Sequence, residues 1–318
     1  FRSKLNFKEM ITINNKLRIG IVGLGNIAQK VYLPFLTNET SWSLIGAYCP
    51  TQKKRKEICT RYRINSFSNV SDLIKECDAV FVPTATAAHF EIVSEALRNG
   101  KDVYVDKPLA ATLEEAEKLA ELSVKSGRKV MVGFNRRFAP MYVKAKQEGN
   151  NAAWIRLEKH RVNEIGPKDF EFTLLDDYIH LVDTARWLGE PASSIKGSCQ
   201  VNAEKQLIYA QYFYKGQNNE QIFMGMHRNT GSNLEQLEIV AENSIIRVSN
   251  MDTMEVEMDG KVITSRSASW DTILKRRGFE DAIMHFINSI IGDTKISIDA
   301  VEGLKTQRLV YDIIKEIK

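Results

Sequence analysis

Gly23-Leu24-Gly25-Asn26-Ile27-Ala28 follows directly on the apolar run Leu17-Arg18-Ile19-Gly20-Ile21-Val22 and precedes a stretch that reads as helix to about Leu36. A strand, a glycine-rich turn and a helix in that order restrict this chain more than any other feature. In the pattern GxGxxA the first glycine makes the tight turn and the second lets the backbone approach a pyrophosphate. The alanine permits close helix–strand packing. The helix N-terminus then presents free N–H groups and a partial positive charge to phosphate. Gly23, Gly25, Asn26 and Ile27 are therefore the expected dinucleotide-binding residues. Two glycines in a loop are common, and it is the strand–turn–helix context that gives the spacing its meaning.

The same grammar continues downstream. Short β-like runs recur at 44–49, 79–82, 103–105 and 130–132, separated by helical stretches at 52–62, 87–99 and 113–126. Strands alternating with helices of about 10–15 residues mean βαβ units and a parallel sheet. Strands that are apolar throughout fit a sheet covered on both faces. Gly100 and Gly127 each follow a helix, where a left-handed cap is favoured. Residues 1–9 carry no clear periodicity, and 1–15 read as an extension or tail, with Met10 as an alternative start.

After Arg137 the pattern changes. A helix at 142–147 leads into longer alternating runs at 154–160, 207–214, 221–227, 237–240 and 245–248. Polar turns such as Gly216-Gln217-Asn218-Asn219 join them, and a last helix falls at 302–318. The expected fold class is α/β plus α+β. A Rossmann-type, doubly wound parallel sheet over 16–137 is followed by an open, mostly antiparallel sheet with helices over 138–318.

Composition sets the outer limits. The 318 residues are 43% apolar and 26% charged, which is too apolar for a disordered chain and long enough for two cores. No apolar run reaches the roughly 18–20 residues that span a bilayer, so no membrane association is expected. Four cysteines lie far apart without a CxxC pair. Neither a disulfide framework nor a metal site is expected, and a reducing, cytoplasmic compartment fits. The net charge of +4 is mild. Its densest run, Lys53–Lys56, reads as a solvated helix face, because a nucleic-acid footprint needs a broader basic stripe.

A ribose-binding acid is expected about 20 residues after the glycine turn, at the end of the second strand. Here Leu44–Cys49 runs into Pro50-Thr51-Gln52-Lys53-Lys54-Arg55 instead. A carboxylate would accept from the 2′-hydroxyl of NAD and repel the 2′-phosphate of NADP. A hydroxyl and three cations favour the phosphate, so Thr51, Lys53 and Lys54 are the expected contacts. The choice among Lys53, Lys54 and Arg55 stays open, as does NAD as the alternative cofactor.

Several stretches together resemble the Gfo/Idh/MocA family of oxidoreductases. They are RIGIVGLGNIAQ (18–29), GKDVYVDKPLA (100–110) and LLDDYIHLVDTARWL (174–188), with YCPT (48–51) and GFNRRFAP (133–140) closest to its MviM-like branch. The resemblance implies an N-terminal Rossmann domain and a C-terminal open-faced sheet for substrate and oligomer contacts. It also implies a homodimer or homotetramer acting on a small carbohydrate-like substrate.

The family's strand-end Glu-Lys-Pro stands here as Asp106-Lys107-Pro108. It implies that Lys107 lies by nicotinamide and substrate, at the crevice where strand ends bind ligands. Asp176, His180 and Asp183 fall at i, i+4 and i+7, one stripe of a helix, with Tyr178, Leu181, Val182, Ala185 and Leu188 turned to the core. A polar stripe alone is ordinarily a wet face. The family's D-x-G-x-H maps onto Asp176–His180 and implies that Asp176 and His180 act on the substrate hydroxyl. An unperturbed histidine pKa of ~6.5 suits that exchange. Tyr178 replaces the family's glycine and is expected to fill space near the substrate, and Asp177 could share the task of Asp176. Thr84, His89 and Asn135 match family positions at the cofactor, and Arg136 matches a crevice position; His89 starts a helix, so a structural role is the equal alternative for it. Arg156, Lys159 and Arg161 are expected on one strand face, towards a polyhydroxy or acidic substrate.

The leading expectation is hydride transfer between NADP(H) and a hydroxyl or carbonyl of a sugar, polyol or derivative. Lys107, Asp176 and His180 would be catalytic. The alternative is a dinucleotide-binding sensor or partner protein without turnover, since fold does not fix function.

Overall fold

The computed structural model describes residues 16–317, so the expected tail at 1–15 lies outside the described residues. The backbone forms two compact units. Of the described residues, one unit holds 16–133 together with Met284–Ala300; the other holds Phe134–Ile283 and 301–317. A single cut after residue 137 therefore misses the return of Met284–Ala300 to the first unit.

The first unit is built on a six-stranded parallel sheet in the order β3-β2-β1-β4-β5-β6. Its strands are β1 (Leu17–Val22), β2 (Trp42–Tyr48), β3 (Asn65–Ser66), β4 (Ala79–Val82), β5 (Asp102–Val105) and β6 (Val130–Val132). Strands β4 to β6 are buried at every residue, as a sheet covered on both faces requires. The connecting helices are α1 (a π-type turn at Ala28–Tyr32 running into Leu33–Leu36), α2 (Gln52–Tyr62), α3 (Val70–Glu76), α4 (His89–Arg98) and α5 (Leu113–Ser126). Helix α5 opens on a capping box between Thr112 and Glu115 and closes on Gly127 at φ +64°. The order reverses between β1 and β4, the switch point at which such sheets bind ligands.

The second unit carries an eight-stranded sheet. Its strands are β7 (Ala152–His160), β8 (Lys196–Val201), β9 (Leu207–Lys215), β10 (Gln221–His227), β11 (Leu234–Ala241), β12 (Ser244–Ser249), β13 (Thr253–Met258) and β14 (Lys261–Arg266). They lie in the order β14-β13-β12-β11-β7-β10-β9-β8, and only the β7–β10 pair is parallel. One face buries Ile155, Leu157, Ile222, Met224, Leu237 and Ile239. After helix α6 (Pro140–Glu148), α7 runs above that face as one continuous helix made of Phe170–Thr173, a π-type turn at Leu174–Tyr178 and Ile179–Leu188. The other face carries Trp154, Arg156, Phe213 and a stacked Tyr209–His227 pair. Antiparallel sheets commonly leave one face for solvent or a partner.

Strand period corrects one expectation. Side chains alternate across a strand, so Arg156 points away from Lys159. Arg156 pairs on the outer face with Glu158, at 2.8 Å, while Lys159 shares the buried face with Ile155 and Leu157.

Candidate active site

In the first unit the glycine turn sits at the carboxyl end of β1, beside β4. Gly23 has φ +104°, and a Cβ there would lie 2.8 Å from Thr84 Cγ2 and 2.9 Å from the Pro83 carbonyl oxygen. Only glycine fits that approach. The Gly23 N–H donates to the Tyr48 carbonyl at 2.8 Å, which ties the turn to the end of β2. A Cβ on Gly25 would meet nothing within 4 Å, so this backbone faces open space at the start of the helix. Ala28 is fully buried against the sheet. Thr84 Oγ1 is buried without a hydrogen-bond partner. A cradle that a side chain would fill, a free helix start and an unpaired hydroxyl are what a dinucleotide pyrophosphate requires, and these residues fit it.

The end of β2 is as distinctive. From Tyr48 to Lys56 there is no carboxylate. Thr51 is the N-cap of α2, and its hydroxyl makes no capping bond. Lys53 and Lys54 are exposed, but Arg55 is buried. Its guanidinium donates to the Cys49 carbonyl at 2.6 Å and to Ser66 Oγ at 3.3 Å, which commits it to bracing the loop.

Lys107 follows the end of β5 and is half-buried, with a cis peptide to Pro108. Its neighbour Asp106 accepts from the hydroxyl of buried Tyr32 at 2.7 Å. His89 is buried, with Nδ1 2.9 Å from the Pro108 carbonyl and Nε2 3.4 Å from that of Thr84. Burial holds its pKa below the ordinary histidine value. A neutral imidazole has a single N–H, and the shorter contact has it donating from Nδ1 to the Pro108 carbonyl, which braces the Lys107–Pro108 turn.

In the second unit Asp176 and His180 lie on α7, Asp176 within the π-type turn and His180 in the regular helix after it. The stripe is not a solvated face. His180 is buried, and Asp183 is 1% exposed. Asp183 takes Arg137 through both oxygens, at 2.6 and 2.8 Å, and a further bond from Thr306 at 2.9 Å. Tyr178 is also away from any ligand space. It is fully buried, its ring packs on Tyr212, and its hydroxyl donates to the Met224 carbonyl at 3.0 Å.

Asp177 does not duplicate Asp176. It is held by Lys159, by Arg228 at 2.5 Å and by Arg161 at 3.4 Å. Burial opposes its ionisation, but the charges of Lys159, Arg161 and Arg228 outweigh that and keep its pKa well below the carboxylate range. Beneath it, Lys159 stands opposite Glu235 in the β7–β11 register, and Glu235 is held by both arms of Arg136. Arg136 is thus part of a buried ion pair. Asn135 is buried too, its side-chain amide donating to the Arg277 carbonyl at 2.7 Å.

Asp176 and Asp177 line a polar cleft of about 540 Å³ within this unit. Arg161, Glu164, Lys168, Arg228 and Arg277 line it too. Glu164, Lys168, Arg228 and Arg277 escaped sequence reasoning. Arg228 meets Arg161 only because β10 pairs with β7 in parallel, bringing His227 beside His160. No local spacing signals that.

Residues 17–134 match the family model described as "Oxidoreductase family, NAD-binding Rossmann fold", and residues 140–259 match "YceM-like, C-terminal domain". A Salmonella typhimurium protein named as the oxidoreductase YceM is 41% identical over 295 residues, 92% of this chain and 96% of that one. The scyllo-inositol 2-dehydrogenase (NAD(+)) of Bacillus subtilis is 27% identical over 197 residues, 58% of each chain. The crystal structure of a dehydrogenase (MviM) from Clostridium difficile superposes with a TM-score of 0.92 at 41% identity, covering 95% of this chain and all of that one. Glycine turn, strand order, open second sheet and these relatives agree: the chain belongs to the Gfo/Idh/MocA family of oxidoreductases.

Proposed function

We propose that this protein is an NADP(H)-dependent dehydrogenase or reductase acting on a hydroxyl-bearing carbon of a sugar, polyol or derivative. The observation that carries the cofactor choice is the carboxylate-free end of β2, with the free Thr51 hydroxyl and exposed Lys53 and Lys54 at the start of α2. Charge-assisted hydrogen bonds contribute about 1.5–3 kcal/mol each, so one to a 2′-phosphate favours NADP(H) by roughly tenfold or more. Bound nicotinamide supplies the hydride acceptor or donor.

The chain's own residues would supply orientation and proton handling. His180 accepts the proton of the substrate hydroxyl, a task imidazole performs near neutrality. Asp176, on the same helix and facing the cleft, holds a substrate hydroxyl or orients His180. Lys107, at a strand's carboxyl end, stabilises developing negative charge on the substrate oxygen. Thr84 contacts the cofactor through its unpaired hydroxyl. The outer face of the second sheet, with Trp154 and Phe213 partly exposed, is the contact of a dimer or tetramer. Cytoplasmic residence fits the four free cysteines. Among the described residues no helix is long and apolar enough to cross a membrane.

Calorimetric titration with NADPH and NADH tests the cofactor reading. Tighter NADPH binding that weakens with salt supports it. Equal affinities, or a preference for NADH, contradict it.

A further inference from the structure

We infer that the substrate carries an acidic group, a carboxylate or a phosphate, which Lys168 and Arg277 receive in the cleft beside Asp176. The inference rests on the dehydrogenase reading and narrows its substrate to the acid or phosphate ester of a sugar or polyol.

The cleft holds more positive charge than its own carboxylates neutralise. Arg161, Lys168, Arg228 and Arg277 line it, against Glu164, Asp176 and Asp177. Lys159 lies directly under Asp177 and adds another cation. Asp177 is already shared among Lys159, Arg161 and Arg228. Glu164 is half exposed and pairs with Arg228 at 3.3 Å and Arg161 at 3.7 Å. Among the described residues, no ion pair is formed by Lys168 or Arg277. The Lys168 ammonium lies 5.3 Å over the ring of Phe172, a position that leaves its donors open. Arg277 caps a short helix, α8 (Ile273–Arg276), just ahead of α9 (Phe279–Ile291), and is exposed.

The residues beneath the cleft are already committed to one another. Burial and the nearby Arg136 push the buried Lys159 ammonium down to about 8, although two carboxylates oppose them. Asp177 stays ionised despite its burial, and so does Glu235, at about 2. The lining cations left without an ion pair among the described residues are therefore Lys168 and Arg277. A neutral polyol entering here would leave that surplus in place, whereas an oxyanion would neutralise part of it. Carboxylate and phosphate share this chemistry, and Arg277 can bind either through two parallel N–H bonds.

Matched compounds test the inference on the full chain with NADP⁺ present. Calorimetry compares glucose, gluconate, glucuronate and glucose 6-phosphate, and inositol with inositol monophosphate. The expected result is binding of acidic members at least tenfold tighter than their neutral partners. Lys168→Met and Arg277→Met should each weaken it about tenfold while NADP⁺ binding stays unchanged. The inference is overturned if neutral members bind as tightly as acidic ones, if no acidic member binds, or if both variants bind the acids like the parent. Nicotinamide absorbance is followed on the same samples. Acid binding without any absorbance change would count against the dehydrogenase reading and leave the anion site standing.

Discussion

Asp183 and Arg137 form a buried two-bond ion pair at 2.6 and 2.8 Å, and the same carboxylate takes a hydroxyl bond from Thr306. The pair joins α7 to the segment after β6 and, through Glu302 at 3.1 Å from Arg137, to the last helix, α10 (Ala300–Ile317). Removing one partner of a buried pair costs about 3–5 kcal/mol because the other charge is left uncompensated. Asp183→Ala is expected to lose stability on that order in urea unfolding, with turnover per folded molecule falling far less than in His180→Asn. A stable but inactive Asp183→Ala would move Asp183 into the chemistry.

His180→Asn and Lys107→Met separately test the proton acceptor and the oxyanion partner. General acid–base catalysis contributes roughly 10²–10⁴-fold, so turnover should fall within that range in each. Melting temperature and NADPH affinity should change little. The His180 variant should also lose an ionisation from its pH–rate profile. Normal turnover in either variant removes that residue from the mechanism.

Glu235 gives the protein a defined weakness to acid. Burial raises its pKa, but Arg136 and Lys159 overcome that and hold it at about 2, against an ordinary value of 4.5. A depressed carboxylate contributes stability that is complete above its unfolded pKa and is lost as pH falls through the folded one. The contribution should therefore fade between about pH 4.5 and pH 2. Melting curves across that window should fall less steeply for Glu235→Gln than for the parent, although the variant starts lower. Parallel curves would show that Glu235 titrates alike in both states.

Pro50→Asp restores an acid where an NAD enzyme keeps one. It should weaken NADPH binding and narrow the gap to NADH. An unchanged ratio would mean that the end of β2 does not read the 2′-position.

Much of the first unit was legible in the sequence because each strand is an apolar run between strong stop signals. Ala79–Val82, Val130–Val132, Gln52–Tyr62 and Leu113–Ser126 fall on the expected residues. Val70–Glu76 went unread because seven residues give barely two turns of periodicity. Lys261–Arg266 went unread because an edge strand exposed at five of six positions has no buried face to alternate with. At the candidate site, sequence singled out Asp176 and His180 but not their surroundings. The helix period suggested a solvated stripe, whereas Asp183 turns in to an arginine 46 residues away. Likewise Arg55 looked available for phosphate until its guanidinium proved committed to Cys49 and Ser66. Side-chain partners brought in by tertiary pairing leave no mark in local spacing.

Nicotinamide absorbance reads turnover itself. Purified protein is mixed with NADP⁺ or NAD⁺ and a panel of polyols, sugars, sugar acids and sugar phosphates. The expected result is reduction of NADP⁺, faster than of NAD⁺, with at least one acidic member, and loss of that signal in Lys107→Met while NADP⁺ still binds. Tight NADP⁺ binding with no absorbance change across the panel, in either direction of reaction, would contradict it and mark the protein as a dinucleotide-binding sensor.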